Sequence, residues 1–376
     1  IRDLIVTGVQ TCALPISYTI NRLQETARTF RNLGDAYGET NQKQTGFKRQ
    51  LILAADILEE CVAMNLDAKS PDKQERREFE RKCMAMGISV KDIKLVDGKR
   101  REILVTAKTF MKGCVSERVL RETVSSVFKA KFFSNQDNRV IINEEPDQYV
   151  FYQENRFRIL SGMARKCKEE ENTSGDNFLL KKLNCGKMVA AIADGCGSGK
   201  RAFAESRMVI ELMENCIEAG FEEKTAIDLI NSAYIAGTTF NNPVTMDMSI
   251  IDCQAGVINC IKLGAVSTFI KRDNWVEIIK STTLPMGVLE QVDYDCTTKK
   301  LYDGNYIIMI SDGVLDNLSG INKEEQMVEI INNINVKKPA GIAKKILEES
   351  LKNNNMEAFD DCTVMVLGVF DTYVNV

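Results

Sequence analysis

Four aspartates in turn-like settings constrain this chain more than any other feature. The first, Asp176, lies in a Ser-Gly-Asp-Asn sequence. Short apolar runs bounded by Gly, Ser and Asp are typical of buried strands. Because neighbouring strands of a sheet can end side by side, we expect these carboxylates to lie at one site. The other three each stand at one end of such a run: Asp194 after residues 188–193, Asp312 after residues 306–310, and Asp360 before residues 364–367.

The same aspartates have a plainer interpretation as turn residues. Asp194 and Asp312 are each followed by glycine, and Asp-Gly is common in tight turns. Several carboxylates at one site repel each other, however, and hard cations such as Mg²⁺ and Mn²⁺ prefer oxygen ligands. The number and order of the four motifs favour a metal site over four unrelated turns.

The chain contains no histidine among its 376 residues. This excludes a Ser-His-Asp triad, a Cys-His nucleophile and histidine-ligated zinc. The glycine-rich stretch 195–199 does not complete a P-loop, because Asp194 occupies the first glycine position and Arg201 follows Lys200. The same stretch misses the dinucleotide-binding spacing by one residue. Chemistry that uses carboxylates, metal ions and water remains.

The composition is consistent with a cytoplasmic enzyme. Hydrophobic residues make up 44% of the chain, charged residues 27%, and the net charge is −4, so a core can form and no basic excess indicates a nucleic-acid partner. The 12 cysteines include no C-x-x-C pair, which favours reduced thiols. No apolar run in the sequence is long enough to predict a membrane span.

Taken together, the motifs resemble the metal-dependent protein phosphatase family of the protein phosphatase 2C (PP2C) type. Within that family the chain is most similar to the serine phosphatases of endospore-forming bacteria. The resemblance implies an α+β fold in which two antiparallel β-sheets stack and are flanked by helices. It runs from about Phe157 to Phe370 and rests on residues 174–176, 194–202, 205–206, 246–252, 262–265, 284–287, 311–313 and 360–363.

The resemblance also implies catalytic roles. A hydroxide bound to two Mn²⁺ or Mg²⁺ ions would attack phosphorus in a phosphoserine protein, without a covalent phosphoenzyme. The chain has no histidine to act as proton donor and no clear match for the phosphate-binding arginine of eukaryotic relatives. The residues implied are Asp194 bridging both ions, the carbonyl of Gly195 on one ion, Asp312 and Asp360 on the second, and Asp176 acting through water.

Two further aspartates need separate interpretation. Asp361 stands where relatives often have asparagine, which makes it the alternative to Asp360 as a metal ligand. The register before Thr363 favours Asp360. Asp247, at the expected start of a strand, is interpreted as structural.

By the same resemblance, the substrate would be a phosphorylated anti-anti-sigma factor whose dephosphorylation activates a sporulation sigma factor. The division-septum machinery and a second copy of the chain are further expected partners. Two alternatives stay open: an inert phosphatase-fold scaffold acting at the septum, and a general-stress serine phosphatase of the same fold. Retention of all four aspartates argues against the inert scaffold.

Four segments are expected along the chain. Relatives carry a multi-helix membrane region upstream, so we expect the full-length protein to be anchored at the division septum through a missing N-terminal region. The apolar stretch near the start is too broken for a signal peptide. The segments are 1–16, which resembles a translated sequencing adapter, 17–72, a helical linker or regulatory segment, 73–148, a small α/β regulatory module, and 149–376, the phosphatase domain.

The periodicity of apolar residues predicts the local elements. Two helices are expected between residues 17 and 66. The remaining predictions are helices at 73–85, 116–129, 202–220 and 224–236, and a hairpin of strands 88–96 and 101–107 around Asp97-Gly98.

Overall fold

The computed structural model describes most of the chain from residue 68 onward. The few described positions before it are all helical, and Arg31 contacts Asp56 there across 2.7 Å. Residues 1–16 and most of the helices predicted between 17 and 66 lie outside the described residues. Those residues are 27, 28, 31, 52, 54–56, 68–97, 101–110, 113–135, 138–169, 173–183, 186–197, 199–218, 221–236 and 242–372.

A small module precedes the main domain. Its elements are β1 Ala68–Lys69, α1 Lys73–Ala85, β2 Ile88–Asp97, β3 Arg101–Thr109, β4 Val115–Ser116, α2 Glu117–Val127, β5 Phe132–Ser134, β6 Ile141–Ile142 and β7 Asp147–Gln153. Five strands form one antiparallel sheet in the order β1-β2-β3-β7-β5. Helix α1 begins where Asp72 accepts hydrogen bonds from the N–H groups of Gln74 (2.6 Å) and Glu75 (2.8 Å). The module has a hydrophobic core of its own.

The rest of the described chain forms a four-layer sandwich. Its elements are β8 Phe157–Lys166, β9 Asp176–Lys182, β10 Lys187–Gly195, α3 Gly199–Glu218, α4 Glu223–Ala236, β11 Val244–Asp252, β12 Val257–Leu263, β13 Thr268–Arg272, β14 Trp275–Ile279, β15 Asp295–Lys300, β16 Tyr306–Ile310, α5 Asp312–Asp316, α6 Lys323–Asn333, α7 Pro339–Leu351, a 3₁₀ turn Lys352–Asn354 and β17 Cys362–Asp371.

Two antiparallel sheets make the middle layers. Sheet I has the order β15-β12-β11-β10-β9, and sheet II has the order β14-β13-β16-β17-β8. Helices α3 and α4 cover the outer face of sheet I, and α5, α6 and α7 cover that of sheet II. The predicted architecture of two stacked antiparallel sheets flanked by helices is confirmed.

Alternation along each strand separates the inner face from the outer one. On β10, Ala190 and Ile192 enter the core between the sheets, while Val189 and Ala191 pack toward the helices. The inward row of β11 contains Ile251 at one end, but it becomes polar toward the other end of the strand. The core between the sheets therefore has one polar end, where β10 finishes and β11 begins.

The structure differs from the sequence predictions in two places. The predicted domain start at residue 149 falls inside β7, which pairs with β3 and β5 of the module sheet. Strand pairing thus places the change from module to sandwich between β7 and β8. The sequence also predicted helices only at α3 and α4 of the sandwich, whereas α5, α6 and α7 supply the second helical layer. Within the described part of the chain, no helix is both long and apolar enough to cross a membrane.

Candidate metal centre

Two of the predicted aspartates face each other on neighbouring strands of sheet I. Asp176 begins β9, and it lies directly opposite Asp194, near the end of β10, in the antiparallel register. Residues opposed in this way have Cβ atoms about 4.5–5.5 Å apart, and like charges there destabilise the sheet. Two carboxylates therefore meet at the polar end of the core.

Sheet II brings the other two aspartates to the same end. Asp312 opens α5 directly after β16, and Asp360 directly precedes the turn into β17. A Cβ on Gly313 would lie only 2.3 Å from the carbonyl oxygen of Asp361. Glycine at 313 thus permits a contact between the two acid-bearing turns that any side chain would prevent.

Helix α3 passes close to the turn that follows Asp194. A Cβ on Gly195 would lie 2.4 Å from the carbonyl oxygen of Ala202 in α3. The next residue, Cys196, donates its N–H to the Pro243 carbonyl at 3.1 Å. Glu205 of α3 is buried and accepts a hydrogen bond from Asn242 at 3.2 Å. The helix and the turn are therefore connected both directly and through residues 242–243.

The four carboxylates range from the interior to the surface. Asp176 is 1% exposed, Asp194 and Asp360 are half-buried, and Asp312 is exposed at the rim. Burial, followed by the charges of Asp176 and Asp312, raises the pKa of Asp194 to about 9. Burial also raises the pKa of Asp176 to about 7, against the opposing effect of the Thr363 and Ser311 hydroxyls. Among the described residues none of the four carboxylates forms an ion pair with Lys or Arg, and each carboxylate makes its neighbours harder to ionise.

Asp312 and Asp194 act on each other's pKa values in opposite directions. Desolvation raises the pKa of Asp312, while the hydrogen bond from Asp194 acts to lower it. The same hydrogen bond acts to raise the pKa of Asp194. A single proton between two carboxylates is how such a pair limits its repulsion.

Asp360 and Asp361 differ in what their side chains contact. Asp361 is buried, and its two oxygens accept N–H groups from Lys168 (3.0 Å) and Gly175 (2.6 Å). Its carboxylate therefore holds the loop that carries Asp176. The charge of Asp360 acts on Asp194 and on Asp312. Both aspartates thus accept backbone N–H groups and act on the acid cluster: Asp360 Oδ1 accepts the N–H of Asp361 at 2.9 Å, and the charge of Asp361 acts on Asp176.

The cluster has one property that suits a cation. Both carboxylate oxygens of Asp176 are buried, and in the described part of the chain neither has a well-formed hydrogen bond, although the Thr363 and Ser311 hydroxyls lie near enough to act on its pKa. Buried acceptors normally have a partner, and carboxylate oxygens are the donors that hard divalent cations take. Across the same described residues, no three His, Cys, Asp or Glu side chains are gathered into a ready coordination shell. The acids share one end of the sandwich but stand apart, as like charges do.

The sequence analysis did not identify Arg165 as part of this site. Arg165 is in β8, opposite Thr363 at the start of β17. Its guanidinium donates to the carbonyl oxygen of Asp176 (2.6 Å) and to the Thr363 hydroxyl (3.2 Å). In the sequence, Arg165 is a single arginine near the end of an expected strand, and no local pattern connects it to the aspartates. Only the pairing of β8 with β17 brings it close to them.

Known proteins and a known sequence family are similar to this chain. Residues 184–370 match the sequence family described as Stage II sporulation protein E (SpoIIE). These residues belong to the SpoIIE family. The match begins just before β10 and ends in β17, so it includes three of the four aspartates.

Two curated SpoIIE proteins are similar to the chain. Stage II sporulation protein E of Bacillus subtilis (strain 168) is 30% identical over 258 residues, which cover 68% of this chain and 31% of that protein. Its counterpart in Priestia megaterium is 34% identical over 211 residues, covering 56% of this chain and 36% of that protein. The chain thus spans about a third of the length of the curated relatives it matches.

A solved structure extends the similarity to the upstream module. It is described as the PP2C phosphatase domain and a fragment of the regulatory domain of the cell fate determinant SpoIIE from Bacillus subtilis. The TM-score is 0.60 at 25% identity, covering 89% of this chain and 99% of that one. The predicted resemblance to PP2C-type phosphatases is confirmed in family and in fold.

Proposed function

We propose that this chain is a metal-dependent protein-serine phosphatase that uses Mn²⁺ or Mg²⁺. The observation that carries the proposal is the meeting of Asp176, Asp194, Asp312 and Asp360 at the polar end of a PP2C-type sandwich. Two bound ions would offset the charge of this cluster, lower the pKa of water and neutralise charge on a phosphoryl group.

Asp194 and Gly195 would hold the ions on the side of sheet I. Asp194 stands between Asp176 on the neighbouring strand and Asp312 on sheet II, which is the position of a shared ligand. Asp312 and Asp360 would hold an ion from sheet II. Asp176 is buried behind Asp194, so its unpartnered oxygens would accept hydrogen bonds from water.

Arg165 would contact the phosphate. It is the guanidinium beside the acids, and its hydrogen bonds to the carbonyl of Asp176 and the hydroxyl of Thr363 fix its direction. A planar guanidinium binds phosphate through paired hydrogen bonds, which lysine does not reproduce. Replacement by lysine should therefore raise the KM for a phosphoserine protein more than it lowers kcat.

The substrate we propose is a phosphorylated anti-anti-sigma factor, whose dephosphorylation activates a sporulation sigma factor. The SpoIIE family match supports this choice over a general-stress substrate. The small module at residues 68–153 would act as a regulatory segment. Its proposed influence passes through α3, which contacts Gly195, and the division septum is the proposed location of the full-length protein.

The proposed function is tested by phosphate release from a phosphoserine protein with and without Mn²⁺. The matched variants are Asp360→Asn and Asp361→Asn. Each replaces one carboxylate oxygen with an amide nitrogen, at neighbouring positions. We expect Asp360→Asn to raise the Mn²⁺ concentration needed for half-maximal rate by about 10-fold to 100-fold. Asp361→Asn should mainly lower the melting temperature, because it weakens the hold on Lys168 and Gly175. A wild-type chain that releases no phosphate with Mn²⁺ or Mg²⁺ would contradict the proposal.

A further inference from the structure

A buried ion pair lies beside the acid cluster in the core between the sheets. Lys262 Nζ is 2.9 Å from Asp247 Oδ2, and the two side chains are 0% and 2% exposed. They oppose each other on β12 and β11, and Asp247 also opposes Ile192 of β10. Because Ile192 and Asp194 point to the same face, the pair occupies the inward row next to Asp194.

The Asp247–Lys262 pair contacts three parts of the sandwich: strands β11 and β12 of sheet I, strand β13 of sheet II, and the segment that follows β12. Asp247 Oδ2 also accepts a hydrogen bond from the hydroxyl of Thr268, on β13 of sheet II. Lys262 Nζ also donates to the carbonyl oxygen of Val266 at 2.6 Å. Residues 264–266 form the segment that leaves β12 at the polar end of the core. The pair therefore sets the position of this segment relative to both sheets.

A small cavity lies next to Asp247 and the acids. Its volume is about 60 Å³, and its lining includes Asp194, Asp312, Asp247, Gly264 and Val266. A water molecule in the liquid takes about 30 Å³, so the cavity has room for one or two waters. The polar lining provides the several hydrogen-bond partners that a buried water needs.

One oxygen of Asp247 is left for such a water. Asp247 Oδ1 is buried, and among the described residues it has no hydrogen-bond partner. A buried carboxylate oxygen without a partner is unfavourable, and bridging water is the usual way in which the lost hydrogen bond is replaced. Asp247 lines this cavity together with Asp194 and Asp312.

Stability alone does not account for a buried ion pair at this position. Other inward positions on these strands are apolar, as at Ala190 and Ile258. Replacing a buried ion pair by apolar residues of similar volume is often neutral or stabilising, because the charges lose their hydration. The sandwich could therefore be closed here without charge.

We propose that Asp247 and Lys262 are positioning residues of the metal centre. Asp247 holds, through water in the cavity, the carboxylates of Asp194 and Asp312 in the orientation that a metal ion requires. Lys262 keeps the 264–266 segment in place as the wall of that cavity. The inference rests on the proposed function in one respect, that the acid cluster binds a divalent cation. Groups that orient metal ligands typically change metal affinity by about 10-fold to 100-fold when removed.

The test is the double variant Asp247→Leu/Lys262→Met, which keeps the volume and removes both charges. Mn²⁺ affinity is measured by titration calorimetry, and melting temperature by scanning calorimetry. We expect a melting temperature at or above that of the wild type together with a 10-fold to 100-fold weaker Mn²⁺ affinity. The control is Arg272→Met/Glu277→Leu, which removes a 2.8 Å pair that is 14% and 17% exposed on β13 and β14. The control should leave Mn²⁺ affinity unchanged.

Asp247→Asn provides a second measurement, because it keeps the shape of the side chain. It too should bind Mn²⁺ about 10-fold more weakly. Unchanged affinity in either variant, or a double variant that does not fold, would overturn the positioning role. The wild type is titrated first: failure of the wild type to bind Mn²⁺ would refute the proposed function, whereas wild-type binding with unchanged variants refutes only this inference.

Discussion

Two charged clusters between sheet I and sheet II, one around Glu277 and one formed by the four aspartates, differ in how they are neutralised. At the β13–β14 hairpin, Glu277 contacts Arg272 of sheet II at 2.8 Å and Lys299 of sheet I at 2.6 Å. At the polar end of the core, Asp176 and Asp194 of sheet I meet Asp312 and Asp360, which border the strands of sheet II.

The pKa values show the consequence of this difference. Burial acts to raise the pKa of Glu277, but Lys299 and Arg272 outweigh it and the pKa is lowered. Burial and neighbouring acids together raise the pKa of Asp194 to about 9. Acid side chains lie between the sheets in both clusters, but among the described residues no Lys or Arg forms an ion pair with the four aspartates. The first cluster is suited to stability and the second to binding and catalysis.

The largest expected effect is loss of activity in Asp194→Ala. Removing the carboxylate shared between both sides of the site should lower the phosphatase rate with Mn²⁺ by about 1000-fold, or about 4 kcal/mol of barrier. The metal-free melting temperature should not fall, because the change also removes like-charge repulsion. Phosphate release and scanning calorimetry measure the two results. A mutant rate within about tenfold of the wild type would remove Asp194 from the proposed centre.

An intermediate effect, on stability and not on activity, is expected for Glu277→Ala. It leaves Arg272 and Lys299 without their carboxylate, so the free energy of unfolding should fall by about 2 kcal/mol while Mn²⁺-dependent activity is kept. Denaturant titration measures the first and phosphate release the second. Glu211→Ala is the control, because its 2.7 Å pair with Arg207 is more than half exposed and should contribute under about 1 kcal/mol. Activity lost in parallel with stability would show that the two clusters are not independent.

A further expected effect is a pH dependence of stability in metal-free buffer. With no histidine in the chain, few ordinary groups titrate between about pH 6 and about pH 8. Asp176 and Asp194, at about 7 and about 9, hold protons in the folded state that the unfolded chain has released, since the usual value is 3.8. Stability should therefore fall as pH rises through this range, by about 2–4 °C in melting temperature for each kcal/mol.

Mn²⁺ provides the contrast for this measurement. A bound cation replaces the protons, so saturating Mn²⁺ should raise the melting temperature most at the higher pH. Asp194→Ala should flatten the metal-free profile. A wild-type profile that is already flat without metal would contradict the raised pKa values of Asp176 and Asp194.

The sequence predicted the acid cluster because its signals are local. Each aspartate stands beside a run or turn that can be recognised within a few residues. The resemblance that the same motifs carry also implied the layering. The helices at α3 and α4 were predicted to within a few residues because the periodicity of apolar residues is also a local signal. The boundary at residue 149 was less accurate, since β7 resembles the strands that follow it and only its partners assign it to the module sheet.

Other features depended on which strands become neighbours. Arg165 reaches the acids because β8 pairs with β17, which begins nearly 200 residues later, at a contact 198 positions apart in sequence. Asp247 was interpreted as structural at the start of a strand, but it lies inside β11 opposite Lys262. The backbone contacts of Asp361 likewise depend on the distant N–H groups of Lys168 and Gly175.

By itself, the sequence determined the residue types of the site and the absence of histidine chemistry, because composition and short motifs are properties of the chain alone. Its resemblance to PP2C-type phosphatases implied the layered antiparallel architecture. Only the tertiary structure decided which carboxylates are paired with cations, which are held by backbone and which are left facing each other. The physical reason is that charge interactions act through space over a few ångströms, and strand register brings together side chains that no local pattern connects.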